Sequence, residues 1–166
     1  MSPRDKTRSL SHKLDRVVAV SAPDGWQVGI DLEQIRPRDV TRLSAWMASE
    51  PEAAASRRLP AALALRHFYR LWTFKEAMIK ARSQDFPADL KTNALLEDPD
   101  SGAWQIHAAG SEGWSVRVFE SGDDWMLTVV WRAPGAESAD VAWELVSDAP
   151  AQPFALTVAV DGRRER

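Results

Sequence analysis

The feature that most constrains the fold is a long helical pattern at residues 60–82. Leu65, Phe68, Trp72 and Ile79 recur at spacings of three, four and seven, which places them on one side of a helix. Beyond residue 101 the hydrophobic period changes to two, which is typical of strands. One long helix followed by several strands predicts an α+β fold, in which an antiparallel sheet packs against that helix.

Shorter patterns predict the other elements. We expect strands at residues 16–22 and 26–32, joined as a hairpin by the turn at 23–25, and helices at 40–49 and 51–58, the first capped by Asp39 or Thr41. Residues 83–101 are predicted to be mostly loop, and strands are predicted at 103–108, 114–120 and 125–131. Two further strands are predicted at 141–146 and 154–160. We therefore expect one domain over residues 1–134 and a C-terminal extension over residues 135–166.

Composition excludes several kinds of site. The chain has no cysteine, so disulfides, thiolate nucleophiles and cysteine-ligated metals are ruled out, and a reducing compartment is favoured. The net charge of -3 provides no basic field for nucleic acid or an anionic membrane. The basic N-terminus has no apolar run of a signal peptide, and no segment approaches the roughly 20 apolar residues of a membrane span. We expect a cytoplasmic protein that binds neither nucleic acid nor membrane.

Two carboxylates on one predicted strand are candidate metal ligands. Asp31 and Glu33 lie two residues apart, so both side chains point to the same face. Neighbouring carboxylates repel each other unless a cation lies between them, and magnesium suits such oxygen ligands. Glu76 of the long helix could supply a third carboxylate. The alternative is a surface strand with a solvated polar face, which a lone Asp-x-Glu pair favours.

The long helix carries charge in its apolar centre. Trp72, Glu76 and Lys80 are spaced by four and share a face, and Lys75 lies one position from Glu76. The ordinary interpretation is an exposed Glu76–Lys80 salt bridge worth about 0.3–0.5 kcal/mol. In the functional interpretation, Lys80 contacts phosphate oxygens, Glu76 holds the metal, and both lysines supply charge where a phosphate ester breaks.

The two stretches together resemble the signature of the 4'-phosphopantetheinyl transferases. That signature is Gly-hydrophobic-Asp, followed about forty residues later by Trp-[Ser/Thr/Cys]-x-Lys-Glu-[Ala/Ser]-x-x-Lys. Here the two parts are Gly29-Ile30-Asp31 and the run WTFKEAMIK from Trp72 to Lys80. The longer segments GIDLEQIRPRD and FYRLWTFKEAMIKA are similar to those of the surfactin-synthetase-activating subgroup. Residues 1–134 are thus identified as a 4'-phosphopantetheinyl transferase-like domain.

The resemblance implies a reaction and a role for each motif residue. The family transfers phosphopantetheine from coenzyme A to a serine of an acyl or peptidyl carrier protein and releases 3',5'-ADP. By similarity, Asp31, Glu33 and Glu76 would hold magnesium on the coenzyme A pyrophosphate, and Lys80 would contact that pyrophosphate. Glu76, or a water bound to the metal, would deprotonate the serine. Lys75 would stabilise the developing charge or the leaving group.

An N-terminal segment, SLSHKLD at residues 9–15, resembles a Ser-His-Ser motif that precedes the Gly-hydrophobic-Asp strand in the same subgroup. The resemblance implies that Ser11 and His12 contact the 3'-phosphate of coenzyme A. The third motif residue is Lys13 instead of serine, which is a departure from the pattern. The alternative interpretation of His12 is an ordinary surface histidine.

Two further departures shape the expectations. Members of the subgroup have two similar halves, and about eighty residues of the first half have no counterpart here. A second subunit could supply that half, so we predict a homo-oligomer, dimer or trimer. Ser83 and Asp85 stand where the family has glycines. The alternatives to an enzyme are a degenerate family member that binds coenzyme A or a carrier protein without transfer, and an unrelated structural domain.

Overall fold

The computed structural model describes residues 6–84, 90–108, 112–122, 124–136 and 157–158. Its strands are β1 (Lys6–Lys13), β2 (Arg16–Pro23), β3 (Gln27–Gln34), β4 (Asn93–Glu97), β5 (Trp104–Ala108), β6 (Trp114–Ser121), β7 (Trp125–Arg132) and β8 (Thr157–Val158). Its helices are α1 (Val40–Met47), α2 (Glu50–Arg57) and α3 (Ala61–Ala81), and a short 3-10 turn spans Pro134–Ala136. The predicted α+β class is confirmed. No helix among these described residues is both long and apolar enough to span a membrane.

Strands β3, β7, β6 and β8 form an antiparallel sheet in that order, while β1–β2 and β4–β5 form two separate hairpins. The predicted strands at 16–22 and 26–32 exist, but the predicted hairpin between them is wrong. Strand β2 pairs instead with β1, and β3 pairs with β7. Strand β2 is half-exposed along its length, whereas β3 is mostly buried. A buried strand needs a partner within the core, and β7 provides it.

The three predicted helices are confirmed. The Asp39 carboxylate caps α1 by accepting a hydrogen bond from the backbone N–H of Arg42. A break at residues 48–49 separates α1 from α2, because Ser49 and Glu52 form a capping box that begins the second helix. The later strands β5, β6 and β7 are also confirmed. Strand β4 lies inside the segment predicted to be mostly loop.

The predicted C-terminal elements are only partly described. The strand expected at 141–146 lies outside the described residues. From the one expected at 154–160, the structure describes β8, which pairs with β6. The proposed division at residue 134 stays a prediction.

The four-stranded sheet is covered on both faces. Alternate residues of β7 point in opposite directions, so Met126 and Val130 pack toward α3 while Leu127 and Val129 pack on the other side. Valines of β2 cover that other side. The register pairs Asp31 with Thr128, so Asp31 belongs to the face toward α3. Asp31 and Glu33, the predicted metal ligands of β3, therefore lie on the face of the sheet that packs against the helix with Glu76 and Lys80.

Ser83 forms the turn that ends α3. Ser83 has a φ of 51°, the left-handed conformation in which glycine is preferred. Its N–H donates to the Lys80 carbonyl at 3.1 Å, and the Gln84 N–H donates to the Ile79 carbonyl at 3.0 Å. These two bonds form a Schellman motif, so a serine adopts the left-handed turn at a position where the resemblance implies a glycine. Asp85 lies outside the described residues.

Candidate active site

Gly29 allows the end of α3 to lie directly against β3. A Cβ atom at this position would lie 1.9 Å from the Ala77 carbonyl oxygen and 2.8 Å from the Ala81 backbone nitrogen. Atoms cannot approach so closely, so a side chain here would push the helix away from the strand. Since alternate strand residues share a face, the same contact brings Asp31 and Glu33 close to α3.

Asp31 joins the two stretches that the sequence singled out. Its side chain is almost fully buried, and its Oδ1 accepts hydrogen bonds from Lys80 Nζ at 2.8 Å and Ser11 Oγ at 2.9 Å. The Lys80 ammonium also donates to the Ile30 carbonyl at 3.1 Å. Burial raises the pKa of Asp31, while the ion pair with Lys80 and the bond from Ser11 oppose that rise. Helix α3 and strand β3 therefore meet at a charged contact.

Two more carboxylates belong to the same cluster. Burial raises the pKa of Glu76, the charge of Asp31 raises it further, and Lys80 opposes these effects. Glu33 also raises the pKa of both other carboxyl groups. Glu33 itself forms an ion pair with Lys13, at 2.7 Å between Oε2 and Nζ. We call these five residues, Asp31, Glu33, Glu76, Lys13 and Lys80, the acidic cluster.

The acidic cluster offers carboxylate oxygens, which hard divalent cations prefer, but it does not form a ready-made ligand set. Among the described ranges, no three His, Cys, Asp or Glu side chains are arranged to hold a metal ion. In the same ranges, Asp31 Oδ2 is buried and has no hydrogen-bond partner. A free carboxylate oxygen beside two further carboxylates suits a hard divalent cation. The Lys80 ammonium contacts Asp31 Oδ1, and the Lys13 ammonium contacts Glu33 Oε2.

Lys75 does not lie in the acidic cluster. Its side chain is 1% exposed, and its ammonium forms an ion pair with Glu52 Oε2 at 2.7 Å and donates to the Asn93 carbonyl. The ammonium therefore faces α2 and β4 instead of β3. One helix position corresponds to a rotation of about 100°, which turns Lys75 and Glu76 toward different neighbours. The structure does not bring Lys75 to the place where it was predicted to stabilise a developing charge.

Strand β1 contributes hydroxyl groups to the edge of β3. The N–H groups of Ile30 and Leu32 donate to the hydroxyls of Ser9 and Ser11, each at 3.2 Å. These bonds satisfy N–H groups on the open edge of the four-stranded sheet. His12 lies on the opposite face of β1 and is exposed. Ser11 is thus brought to the acidic cluster and His12 is not, and their contact with a coenzyme A phosphate stays a prediction.

Comparison with known proteins places the chain in a family. The model of the 4'-phosphopantetheinyl transferase superfamily matches residues 27–130, which is more than half of the 166 residues. The chain belongs to the 4'-phosphopantetheinyl transferase superfamily. A curated relative, 4'-phosphopantetheinyl transferase AcpT of Salmonella typhi, is 39% identical over 80 residues. That match covers 45% of this chain and 38% of AcpT, so the chain matches well under half the length of this relative.

Solved structures show that this superfamily member shares the fold of the holo-acyl-carrier-protein synthases. A holo-(acyl-carrier-protein) synthase from Bacillus anthracis str. Ames, in complex with CoA (3',5'-ADP), has a TM-score of 0.50 and 15% identity. The match covers 64% of this chain and 94% of that one. The ACPS–CoA complex of Chronobacterium ammoniagenes has a TM-score of 0.50 and 19% identity, with 66% and 98% covered.

Sequence reasoning missed two contributors to the acidic cluster and its surroundings, Ser9 and Lys13, and it also missed the buried partner of Lys75. Ser9 and the ion-pairing role of Lys13 were missed because the charged segment KTRSLSHK was not recognised as a strand. The spacing of two between Ser9 and Ser11 was the available signal. Glu52, the buried partner of Lys75, could have been found from the Ser49-x-x-Glu52 spacing of a capping box.

Proposed function

We propose that this protein transfers the 4'-phosphopantetheine group of coenzyme A to a serine hydroxyl of an acyl or peptidyl carrier protein and releases 3',5'-ADP. The observation that carries the proposal is the Asp31–Lys80 ion pair at 2.8 Å, which joins both signature stretches. The AcpT relative is named a 4'-phosphopantetheinyl transferase, and both synthase structures contain coenzyme A or 3',5'-ADP. We also propose that the reaction takes place in the cytoplasm.

The side chains of the acidic cluster suit the steps of this reaction. The serine oxygen forms a bond to the phosphorus that carries pantetheine, and the bond from that phosphorus to 3',5'-ADP breaks. Glu76 accepts the serine proton, and its raised pKa makes its carboxylate a stronger base. Lys80 offsets negative charge on the pyrophosphate, and its side chain is exposed enough for a ligand to reach it. Lys75, held by Glu52, has no part in these steps.

Magnesium belongs to the same proposal. Asp31, Glu33 and Glu76 would hold the ion, which when bound would neutralise charge on the pyrophosphate. The proposal is supported by the free Oδ2 of Asp31 and by the effect of neighbouring carboxylates, which raise the pKa values of Asp31 and Glu76.

The first test is intact-mass spectrometry of an apo acyl carrier protein incubated with coenzyme A, magnesium and this protein. Wild type is expected to add one phosphopantetheine. Asp31→Asn and Glu76→Gln are each expected to slow transfer by about 10²-fold or more, because each removes a group that acts on the reacting atoms. Glu50→Gln is the matched control, since Glu50 is an exposed carboxylate in an ion pair on α2. Chelation of magnesium is expected to stop transfer.

Two outcomes would contradict this proposal. If folded wild type binds coenzyme A but modifies none of several carrier proteins, the protein is a non-catalytic family member and not a transferase. If it binds neither coenzyme A nor a divalent cation, the acidic cluster is structural.

We further infer that the chain self-associates as a dimer or trimer. Leu10 and Val17 are 56% and 66% exposed on the outward face of the β1–β2 hairpin, and Leu14 in its turn is 61% exposed. Three exposed apolar side chains on one hairpin indicate a surface for a second copy of the chain.

Light scattering at micromolar concentration is expected to give the mass of a dimer or trimer. The double substitution Leu10→Ser and Val17→Ser is expected to shift that mass toward the monomer, because it removes apolar surface that a second copy would bury. Leu63→Ser is the control, since Leu63 is exposed on α3 away from the hairpin. A monomeric wild type would refute self-association.

A further inference from the structure

We infer that Lys13 is a resident counter-cation of the acidic cluster, which a divalent cation displaces from Glu33 and which then binds a phosphate oxygen of the ligand. This inference rests on the proposed function and adds to it a residue that couples metal binding to nucleotide binding. It concerns the position at which the chain departs from the Ser-His-Ser pattern.

The contact of Lys13 identifies its target. Its Nζ lies 2.7 Å from Glu33 Oε2, and the two side chains are 35% and 16% exposed. Residues 11 and 13 of β1 share a face, so Lys13 points to β3 on the same side as Ser11. A serine at position 13 would be neutral, whereas Lys13 places a full positive charge on a candidate metal ligand.

The charges of the acidic cluster explain why this contact matters. Three carboxylates face two ammonium groups, which leaves one unit of net negative charge. A divalent cation therefore meets a site that Lys13 and Lys80 have already largely neutralised, and it must compete with Lys13 for Glu33. Once the cation is bound, both ammonium groups and the metal together leave a net positive charge, which attracts a pyrophosphate.

Lys13 is the ammonium group better suited to move. Lys80 makes two hydrogen bonds, to Asp31 and to the Ile30 carbonyl, whereas the structure gives Lys13 its ion pair with Glu33. The long flexible stem of a lysine lets its charge reposition without movement of the strand. Metal and nucleotide binding are then linked, because each favours the arrangement in which Lys13 has left Glu33.

The test measures the affinity of the purified protein for Mn²⁺ by electron paramagnetic resonance and for 3',5'-ADP by calorimetry. Lys13→Ser is expected to bind Mn²⁺ about two- to fivefold more tightly without nucleotide, because the competing ion pair is gone. In the presence of Mn²⁺ it is expected to bind 3',5'-ADP more weakly by a similar factor, since a phosphate-binding charge is lost. Lys13→Arg keeps the charge and is expected to retain wild-type Mn²⁺ affinity.

Arg57→Ser is the matched control, because it removes one positive charge and an exposed ion pair with Glu50 at 2.9 Å on α2. It is expected to leave both affinities unchanged. If Lys13→Ser also leaves both affinities unchanged and only lowers the melting temperature, Lys13 merely fastens β1 to β3 and the inference is overturned. Lys13→Ser with weaker Mn²⁺ binding would overturn it too.

The same titrations separate this inference from the proposed function. If wild type binds Mn²⁺ and 3',5'-ADP and Asp31→Asn loses Mn²⁺ binding, the metal site stands whatever Lys13→Ser shows. Wild type that binds neither ligand would overturn both proposals.

Discussion

Lys75→Ala is expected to lower the free energy of unfolding by about 3–5 kcal/mol, because it leaves a buried carboxylate without its cation. Glu52 is fully buried, and its oxygens accept hydrogen bonds from the Ser49 N–H at 2.8 Å and the Leu95 N–H at 2.9 Å, in addition to the Lys75 ion pair. The pair therefore holds α3 against α2 and β4. Urea titration followed by tryptophan fluorescence measures the loss.

Two variants calibrate that measurement. Arg57→Ala breaks an ion pair whose side chains are exposed, so we expect a loss below about 1 kcal/mol. The double substitution Glu52→Gln and Lys75→Met is expected to be more stable than Lys75→Ala, because no buried charge is left unpaired and the glutamine oxygen can still accept from Leu95.

The same series decides between a structural and a chemical role for Lys75. A structural role predicts that the double variant, once folded, retains transfer to the carrier protein. If Lys75→Ala has nearly wild-type stability but has lost transfer, the structural role is contradicted. Lys75 would then have the catalytic role that the sequence motif implies.

Gly29→Ala is expected to destabilise the protein by about 1–3 kcal/mol and to slow transfer by about 10²-fold. The new methyl group would lie 1.9 Å from the Ala77 carbonyl oxygen, so the end of α3 must move away from β3. That movement separates Asp31 from Lys80, whose ion pair spans the same contact. Stability is measured by urea titration, and transfer by the mass shift of the carrier protein.

Gln27→Ala is the control, because residue 27 precedes Gly29 by two on the same strand and the same face. We expect it to change transfer little, since it adds no atom between strand and helix. If Gly29→Ala has wild-type stability and rate, the close approach of α3 to β3 does not position the acidic cluster.

Local periodicity was sufficient for most elements. The helix at 60–82 and the strands β5, β6 and β7 were predicted because side-chain spacing alone distinguishes a period of 3.6 from a period of two. Strand β1 was not predicted, because its charged and polar residues do not alternate visibly with apolar ones. The pairing of β3 with β7 was not predicted for a different reason. The two strands are about a hundred residues apart, and local spacing cannot encode a long-range register.

In the candidate site, too, some features were predicted from the sequence and others depend on the tertiary structure. Asp31 and Glu33 were predicted to share a face, and their placement toward α3 follows from that alternation together with the register of β3 on β7. The motif could not show that Lys75 points to Glu52, because both residues lie on helices whose relative rotation is set by packing. Nor could it show that Lys13 pairs with Glu33, because that contact depends on where the hairpin lies.

The sequence by itself determined the secondary structure of the long helix and the later strands, and the two signature motifs of the superfamily. These properties depend on side-chain type and spacing within short segments. Only the tertiary structure decided which of the motif's charges meet. Asp31 meets Lys80 because the strand and helix touch at Gly29, while Lys75, next to Glu76 in the chain, is turned into the core.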